Sequence, residues 1–140
     1  MSNDPNDGAH AESTSPRAIV AGHGDFAAGL VSAVEQISGR GGLLIPVSVS
    51  TLTVEGIEAL LRQRMMEADV KVIFTDLQAG SCTMASRRIL RGMNDAVLIA
   101  GANLPMLVDF VFAEGRTAPD AARHAAERGR AAIAVHGATA

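Results

Sequence analysis

The stretch Arg17-Ala-Ile-Val-Ala-Gly-His-Gly-Asp-Phe26 decides the fold, because an apolar run stops at a glycine and a helical pattern follows almost at once. Residues 18–22 predict a buried strand, and apolar residues at 26, 30, 34 and 37 predict a helix that ends at Gly39. His23 therefore stands at the carboxyl end of a strand, beside the free N–H groups of a helix start. Open α/β sheets bind anionic ligands at this position, so His23 is the first candidate for chemistry.

The alternation of strand and helix continues along the rest of the chain. Strands are predicted over 43–49, 70–75 and 96–100, and helices over 54–67, 83–91, 105–113 and 117–135. Pro46 removes a ladder donor from the second strand, which favours an edge position. The pattern predicts an α/β fold, a small doubly wound, mainly parallel sheet with helices on both faces and flavodoxin-like topology. In its 2-1-3-4 strand order, His23 and Asp76 follow neighbouring strands and are expected to meet.

Composition indicates one domain. The 140 residues are 48% hydrophobic and 19% charged with a net charge of -3, so a core can form, and nucleic acid is not an expected partner. The single cysteine, Cys82, excludes an internal disulfide and favours the reducing cytoplasm. No apolar run approaches the ~20 residues that cross a bilayer, and no signal peptide is recognisable. Residues 1–16 are predicted to be a flexible tail, and residues 17–140 the domain.

The pair of His23 and Asp76 suits nucleophilic chemistry. A neutral imidazole attacks through one nitrogen, while a carboxylate bonded to the other nitrogen fixes the tautomer and stabilises the positive charge that develops. Backbone N–H groups near the start of the first helix, including that of Gly24, and at Gly80 and Ser81 before the third helix would hold a phosphoryl group without a metal or other cofactor. These residues predict transfer through a phosphohistidine.

Several separated motifs stand out along the chain. They are Ala-Gly-His-Gly at 21–24, Phe-Thr-Asp at 74–76, Gly-Ser at 80–81, Ala85, Arg88 and Ala-Gly-Ala-Asn-Leu-Pro-Met-Leu-Val at 100–108. In this order they resemble the mannose-type enzyme IIA of the bacterial phosphoenolpyruvate:sugar phosphotransferase system. The resemblance implies that His23 is phosphorylated, that Asp76 is its hydrogen-bonding partner and that Ser81 belongs to the phosphate site.

The resemblance also implies partners. The donor would be the histidine phosphocarrier protein and the acceptor an enzyme IIB, with the membrane components IIC and IID engaged indirectly. The family is a homodimer whose sheet is completed by an exchanged antiparallel segment. One stretch departs from the family: Ala79-Gly80-Ser81-Cys82-Thr83-Met84 stands where Gly-Gly-Ser-Pro-Phe-Asn is common, so the partner-facing surface is expected to differ. The sugar cannot be inferred, because a IIA component handles only phosphate.

Simpler roles remain open for several residues. Asp76 also suits a cap before the third helix, and Ser81 suits an N-cap as well as a phosphate contact. Cys82 fits a small buried helix residue better than a reactive thiol. Asn103 is explained by capping the helix that contains Pro105. The remaining candidates are expected on solvated surfaces or in the tail, without a zinc site: His10, His124, His136, Arg87, Arg88 and Arg91.

Three alternatives to a phosphocarrier of sugar transport remain. The first is a regulatory protein whose binding is switched by phosphorylation of His23. The second is the phosphotransferase subunit of dihydroxyacetone kinase, which resembles the same fold but is disfavoured by the Gly-Ala-Asn-Leu-Pro-Met stretch at 101–106. A flavin or nucleotide binder follows from the fold alone, and the lack of a glycine fingerprint and the 3% of aromatic residues speak against it.

Overall fold

The structure, a computed structural model, describes residues 15–50 and 52–139, in which strands and helices alternate. Most of the predicted tail, residues 1–14, lies outside this part of the chain. The strands are β1 (Ala18–Gly22), β2 (Leu44–Ser48), β3 (Val72–Thr75) and β4 (Val97–Ala100). The α-helices are α1 (Phe26–Ser38), α2 (Val54–Ala68), α3 (Ser81–Leu90), α4 (Leu104–Phe112) and α5 (Ala118–Ala131).

The strands form one parallel sheet in the order β2-β1-β3-β4, which confirms the predicted order. β1 is flanked by β2 on one side and by β3 on the other. β2 is an edge strand, as Pro46 predicts, and Pro46 is exposed and in register with Val20. Because all strands run in the same direction, the segments that follow β2, β1 and β3 lie together at one end of the sheet.

Each face of the sheet buries its own apolar cluster. Alternate strand residues point to opposite faces, so Val20 and Phe74 pack with α1, α4 and α5, whereas Ile19 and Ile73 pack with α2 and α3. The Phe74 ring meets the ring of Phe110 edge-on, with the centroids 5.1 Å apart. Fully burying one such side chain stabilises the fold by about 1.5–3 kcal/mol. This packing fixes the ends of β1 and β3, and with them the residues that follow.

Asn103 has the structural role that its sequence position predicts. Its side-chain oxygen accepts a hydrogen bond from the Met106 N–H at 3.1 Å and so caps α4. Its amide group donates to the Gly129 carbonyl at 3.0 Å, which ties α5 to the end of β4. A Cβ on Gly129 would lie only 2.7 Å from Met106 Cε, so the two helices approach as closely as a glycine allows.

Two helix ends differ from the prediction by two residues or more. α3 begins at Ser81 rather than at residue 83, because extended Gly80 occupies the N-cap and the Thr83 hydroxyl, in the first turn, donates to the Leu77 carbonyl. α5 ends at Ala131 rather than near residue 135. Beyond it, the side chains of Ile133 and Val135 are 74% and 90% exposed. A longer helix would bury little further apolar surface there, and helix propensity alone stabilises few additional residues.

Candidate active site

His23 lies in the turn between β1 and α1, where the backbone passes very close to its neighbours. A Cβ on Gly22 would lie 2.7 Å from Phe26 Cδ2 and 3.1 Å from Asp76 Oδ2. Glycine at this position is therefore a steric requirement, because any side chain would push apart the groups on either side of the turn. The close approach brings the end of β1 directly against the end of β3.

The structure brings His23 and Asp76 together, as the strand order predicts. His23 Nδ1 lies 2.7 Å from Asp76 Oδ2, and the backbone N–H of His23 donates to the same oxygen at 2.9 Å. A carboxylate only accepts hydrogen bonds, so the proton of the neutral ring lies on Nδ1 and the lone pair on Nε2. The His23 side chain is 49% exposed. The free nitrogen is therefore available to a group that approaches from solvent.

Asp76 is held in its charged form by these contacts. Burial raises the pKa of its carboxyl group, but the hydrogen bonds from the backbone and ring of His23 outweigh this effect and leave the pKa below its usual value. The side chain is only 10% exposed. Its second oxygen, Oδ1, is buried and contacts no hydrogen-bond donor among the residues that the structure describes. The negative charge is thus directed to the histidine.

The amino terminus of α3 lies beside the His23 ring. A Cβ on Gly80 would lie 3.5 Å from His23 Cε1, which is van der Waals distance. The amide groups in the first turn of a helix have no intrahelical acceptor, and they carry the positive end of the helix dipole. Of the two roles left open for Ser81, the N-cap belongs to Gly80 instead, and Ser81 is the first helical residue.

Gly24 is held by two serines that the sequence prediction did not include. Its N–H donates to Ser50 Oγ at 2.6 Å, and its carbonyl accepts from Ser48 Oγ at 3.1 Å. Gly24 has a φ of +52°, in the left-handed region that favours glycine. Because its amide is already paired, a phosphoryl group would have to displace Ser50 to reach it. The carboxyl ends of parallel strands meet at one edge of a sheet. This rule, applied to the end of β2, would have pointed to both serines.

A buried hydroxyl pair, also missed in the sequence, ties α3 to the sheet. Thr75 Oγ1 and Thr83 Oγ1 lie 2.6 Å apart, and the Thr83 hydroxyl also bonds the Leu77 carbonyl. Thr75 is the last residue of β3 and Thr83 lies in the first turn of α3. The pair therefore fixes the loop that contains Asp76 relative to the helix amides. Thr83 stands in the segment that departs from the family pattern.

Cys82 has the properties of a buried helix residue. Its side chain is fully buried. Burial, and then the negative charge of Asp76, raises the pKa of the Cys82 thiol to about 11. A thiol with this pKa is almost entirely protonated at neutral pH, which disfavours a reactive thiolate.

Two other polar candidates pair with residues outside the His23–Asp76 pair. His124, which is expected on a solvated surface, is 35% exposed, and its Nδ1 lies 2.9 Å from Oδ2 of Asp109 on α4. Arg88 lies on the surface, 3.3 Å from a Glu55 oxygen. Within residues 15–50 and 52–139, no group of three or more histidine, cysteine, aspartate or glutamate side chains could hold a metal ion. In the same residues, no helix has the length and apolarity needed to cross a bilayer.

Known proteins resemble this chain in sequence and fold. A family model described as the PTS system fructose IIA component matches residues 17–127. The mannose/sorbose-specific IIA subunit of the phosphotransferase system from Enterococcus faecalis superposes with a TM-score of 0.78 at 20% identity, over 90% of this chain and 98% of that chain. Component EIIA from Streptococcus agalactiae superposes with a TM-score of 0.74 at 21% identity, over 85% of this chain and 95% of that chain. The PTS IIA protein associated with the fucose utilization operon from Streptococcus pneumoniae superposes with a TM-score of 0.73 at 17% identity, over 86% of this chain and 93% of that chain. No curated protein sequence matches the chain significantly.

Proposed function

Because the chain belongs to the family of PTS system fructose IIA components, we propose that it accepts a phosphoryl group on His23 from the histidine phosphocarrier protein and passes it to an enzyme IIB. Proteins of this family are phosphotransferases, and the chain is a phosphocarrier of a sugar phosphotransferase system. The observation that supports His23 as the carrier is its 2.7 Å pairing with Asp76, which leaves one ring nitrogen free.

The transfer needs no group beyond the two proteins. The lone pair of His23 Nε2 attacks the phosphorus of the phosphohistidine on the donor. A new P–N bond forms while the donor P–N bond breaks, and the electron pair of the broken bond returns to the donor imidazole. The His23 ring becomes positively charged, and Asp76 stabilises this charge through the proton on Nδ1. Transfer to enzyme IIB reverses the step, with His23 as the leaving group.

The first turn of α3 is the proposed holder of the phosphoryl oxygens. Its amides lie at the end of the helix where Gly80 is in contact range of the His23 ring. Anions are stabilised at such helix ends. Ser81, at the first helical position, is half-buried there. Backbone and hydroxyl donors are the expected phosphate ligands, so we propose that the reaction proceeds without a metal ion.

The free edge of β4 supports a homodimer as the working form of the protein in the cytoplasm. Within residues 15–50 and 52–139, β4 pairs only with β3, and a cavity of about 220 Å³ lies between this edge and the end of α5, where Ile99 and Ile133 line it. The segment after α5 carries Ile133 and Val135 exposed. An extended segment of this kind, supplied by a second copy, would pair with the edge and bury its own apolar side chains.

Phosphorylation of the purified protein tests the proposal. The protein is incubated with phosphoenolpyruvate, enzyme I and the histidine phosphocarrier protein, and its intact mass is recorded before and after addition of a candidate enzyme IIB. We expect the mass of one phosphoryl group to be gained and then lost to the IIB. Chelating agents are expected to leave the rate unchanged, because no metal takes part.

The chain offers a matched control for the modified residue. His124 also hydrogen-bonds an aspartate through Nδ1, at 2.9 Å, but lies on the surface of α5. His23→Ala is expected to abolish the mass gain, and His124→Ala to retain it. A label that survives in His23→Ala, or no label on the wild-type protein, would refute the proposed function.

A further inference from the structure

The end of β2 holds the His23 turn from the side opposite to Asp76. Three hydrogen bonds connect the two segments. The Val49 N–H donates to the Gly22 carbonyl at 3.2 Å, Ser48 Oγ donates to the Gly24 carbonyl at 3.1 Å, and the Gly24 N–H donates to Ser50 Oγ at 2.6 Å. The two serines thus bind both polar groups of one glycine, the residue directly after His23.

We propose that Ser48 and Ser50 are positioning residues for phosphoryl transfer, which act through Gly24 on the ring of His23. The proposal rests on the proposed function, because it assigns a role to these serines in the reaction of His23. Neither hydroxyl needs to touch the phosphoryl group. Their task is to keep Gly24 in its left-handed conformation, φ +52°, so that the turn has one shape.

The geometry of the turn transmits this constraint to the ring. His23 bonds Asp76 Oδ2 twice, once from its backbone N–H and once from its ring, so the backbone orientation also sets the position of the ring. A glycine explores left- and right-handed conformations almost equally when nothing holds it. Without the serines, rotation about Gly24 would move the peptide that follows His23 and loosen the ring contact with Asp76.

The exposure of the serines distinguishes positioning from a role in stability. Both residues are exposed, so a serine hydroxyl that is removed is replaced at Gly24 by water. The fold therefore loses little when these hydrogen bonds are lost. A reacting group that is displaced by about 1 Å, in contrast, can lose about 100-fold in rate. The predicted signature is a large effect on rate with a small effect on stability.

The test compares single-turnover transfer rates from the phosphorylated phosphocarrier protein. Ser48→Ala/Ser50→Ala is expected to lower the rate constant at saturating donor by about 10- to 100-fold, with an unchanged KM for the donor. Ser50→Thr, which keeps the hydroxyl, is expected to retain most of the wild-type rate. Thr53→Ala is the matched control, because Thr53 Oγ1 caps α2 through the Gly56 N–H in the same segment and does not contact the His23 turn.

A second measurement does not depend on phosphorylation. Nitrogen chemical shifts of the His23 ring report its tautomer, which we expect to be almost entirely Nδ1–H in the wild type and a mixture in Ser48→Ala/Ser50→Ala. Wild-type rate and tautomer in the double variant would overturn the proposal, as would an equal loss of rate in Thr53→Ala. If the wild type accepts no phosphoryl group, the proposed function fails, whereas the tautomer shift still decides whether the serines position the ring.

Discussion

Asp76→Asn is expected to slow phosphoryl transfer while leaving the shape of the site intact. Asp76 Oδ2 accepts hydrogen bonds from the backbone and the ring of His23, at 2.9 and 2.7 Å, and an asparagine oxygen can accept the same two bonds without charge. The lost term is the attraction between the carboxylate and the positive ring that forms during attack. A hydrogen bond to a charged group contributes about 1.5–3 kcal/mol, which corresponds to about a 10- to 150-fold lower rate.

Single-turnover transfer from the phosphorylated phosphocarrier protein measures this loss directly. Asp109→Asn is the matched control, because Asp109 makes the equivalent hydrogen bond to His124 at 2.9 Å outside the site. We expect the control to transfer within about 2-fold of the wild type, a change of less than half a kcal/mol. An Asp76→Asn protein that transfers at the wild-type rate, or a control that is equally slow, would refute the role of the carboxylate.

The free energy of unfolding of Asp76→Asn is expected to depend on pH differently from that of the wild type. Burial raises the pKa of the Asp76 carboxyl group, but the His23 hydrogen bonds lower it more, so its pKa is lower in the folded protein than in the unfolded chain. Such a group stabilises the fold fully above its ordinary pKa of 3.8 and loses this contribution as the pH falls through the folded pKa. The difference in unfolding free energy between wild type and Asp76→Asn is therefore expected to be smaller near pH 3 than near pH 5. Urea titrations at the two pH values would contradict this if the difference grew.

Three further outcomes are expected. Gly22→Ala places a Cβ 2.7 Å from Phe26 Cδ2 and is expected to destabilise the fold by about 1–3 kcal/mol; an unchanged urea midpoint would contradict the steric argument. Because burial and then the charge of Asp76 raise the pKa of Cys82 to about 11, iodoacetamide should label the native protein at neutral pH far more slowly than the urea-unfolded protein, and equal rates would be inconsistent with this. Val135→Asp places a charge in the exposed segment after α5 and is expected to give a monomer by light scattering, whereas a persistent dimer would rule out pairing through this segment.

Much of the fold was predictable because periodicity and glycine positions are local signals. Apolar runs and their breaks predict each strand, and the parallel order then places His23 beside Asp76. The end of α5 was not predictable in this way, because the alanine-rich sequence continues to favour a helix after Ala131. The helix stops there because Ile133 and Val135, which are 74% and 90% exposed, gain little burial against the described chain.

The site was predictable where one residue type implies one chemistry, and less so where the role depends on a neighbour. A histidine at a strand end suggests chemistry by itself, whereas a serine or threonine suits many positions. Ser50 gains its role only from its 2.6 Å contact with Gly24, and Thr83 from its contact with Thr75. Such pairings depend on the distance between segments that the sequence separates, so they required the structure.

The two edges of the sheet differ in whether another strand can be added. On β2, Pro46 provides no backbone N–H, and a proline on an edge is one of the features that prevent proteins from polymerising through their sheets. Within the described residues, β4 carries no proline and is paired on one side. In the dimer that we propose, each copy places its segment after α5 on the β4 edge of the other copy. A reciprocal exchange of this kind leaves no β4 edge open to a third copy, so the pair is closed.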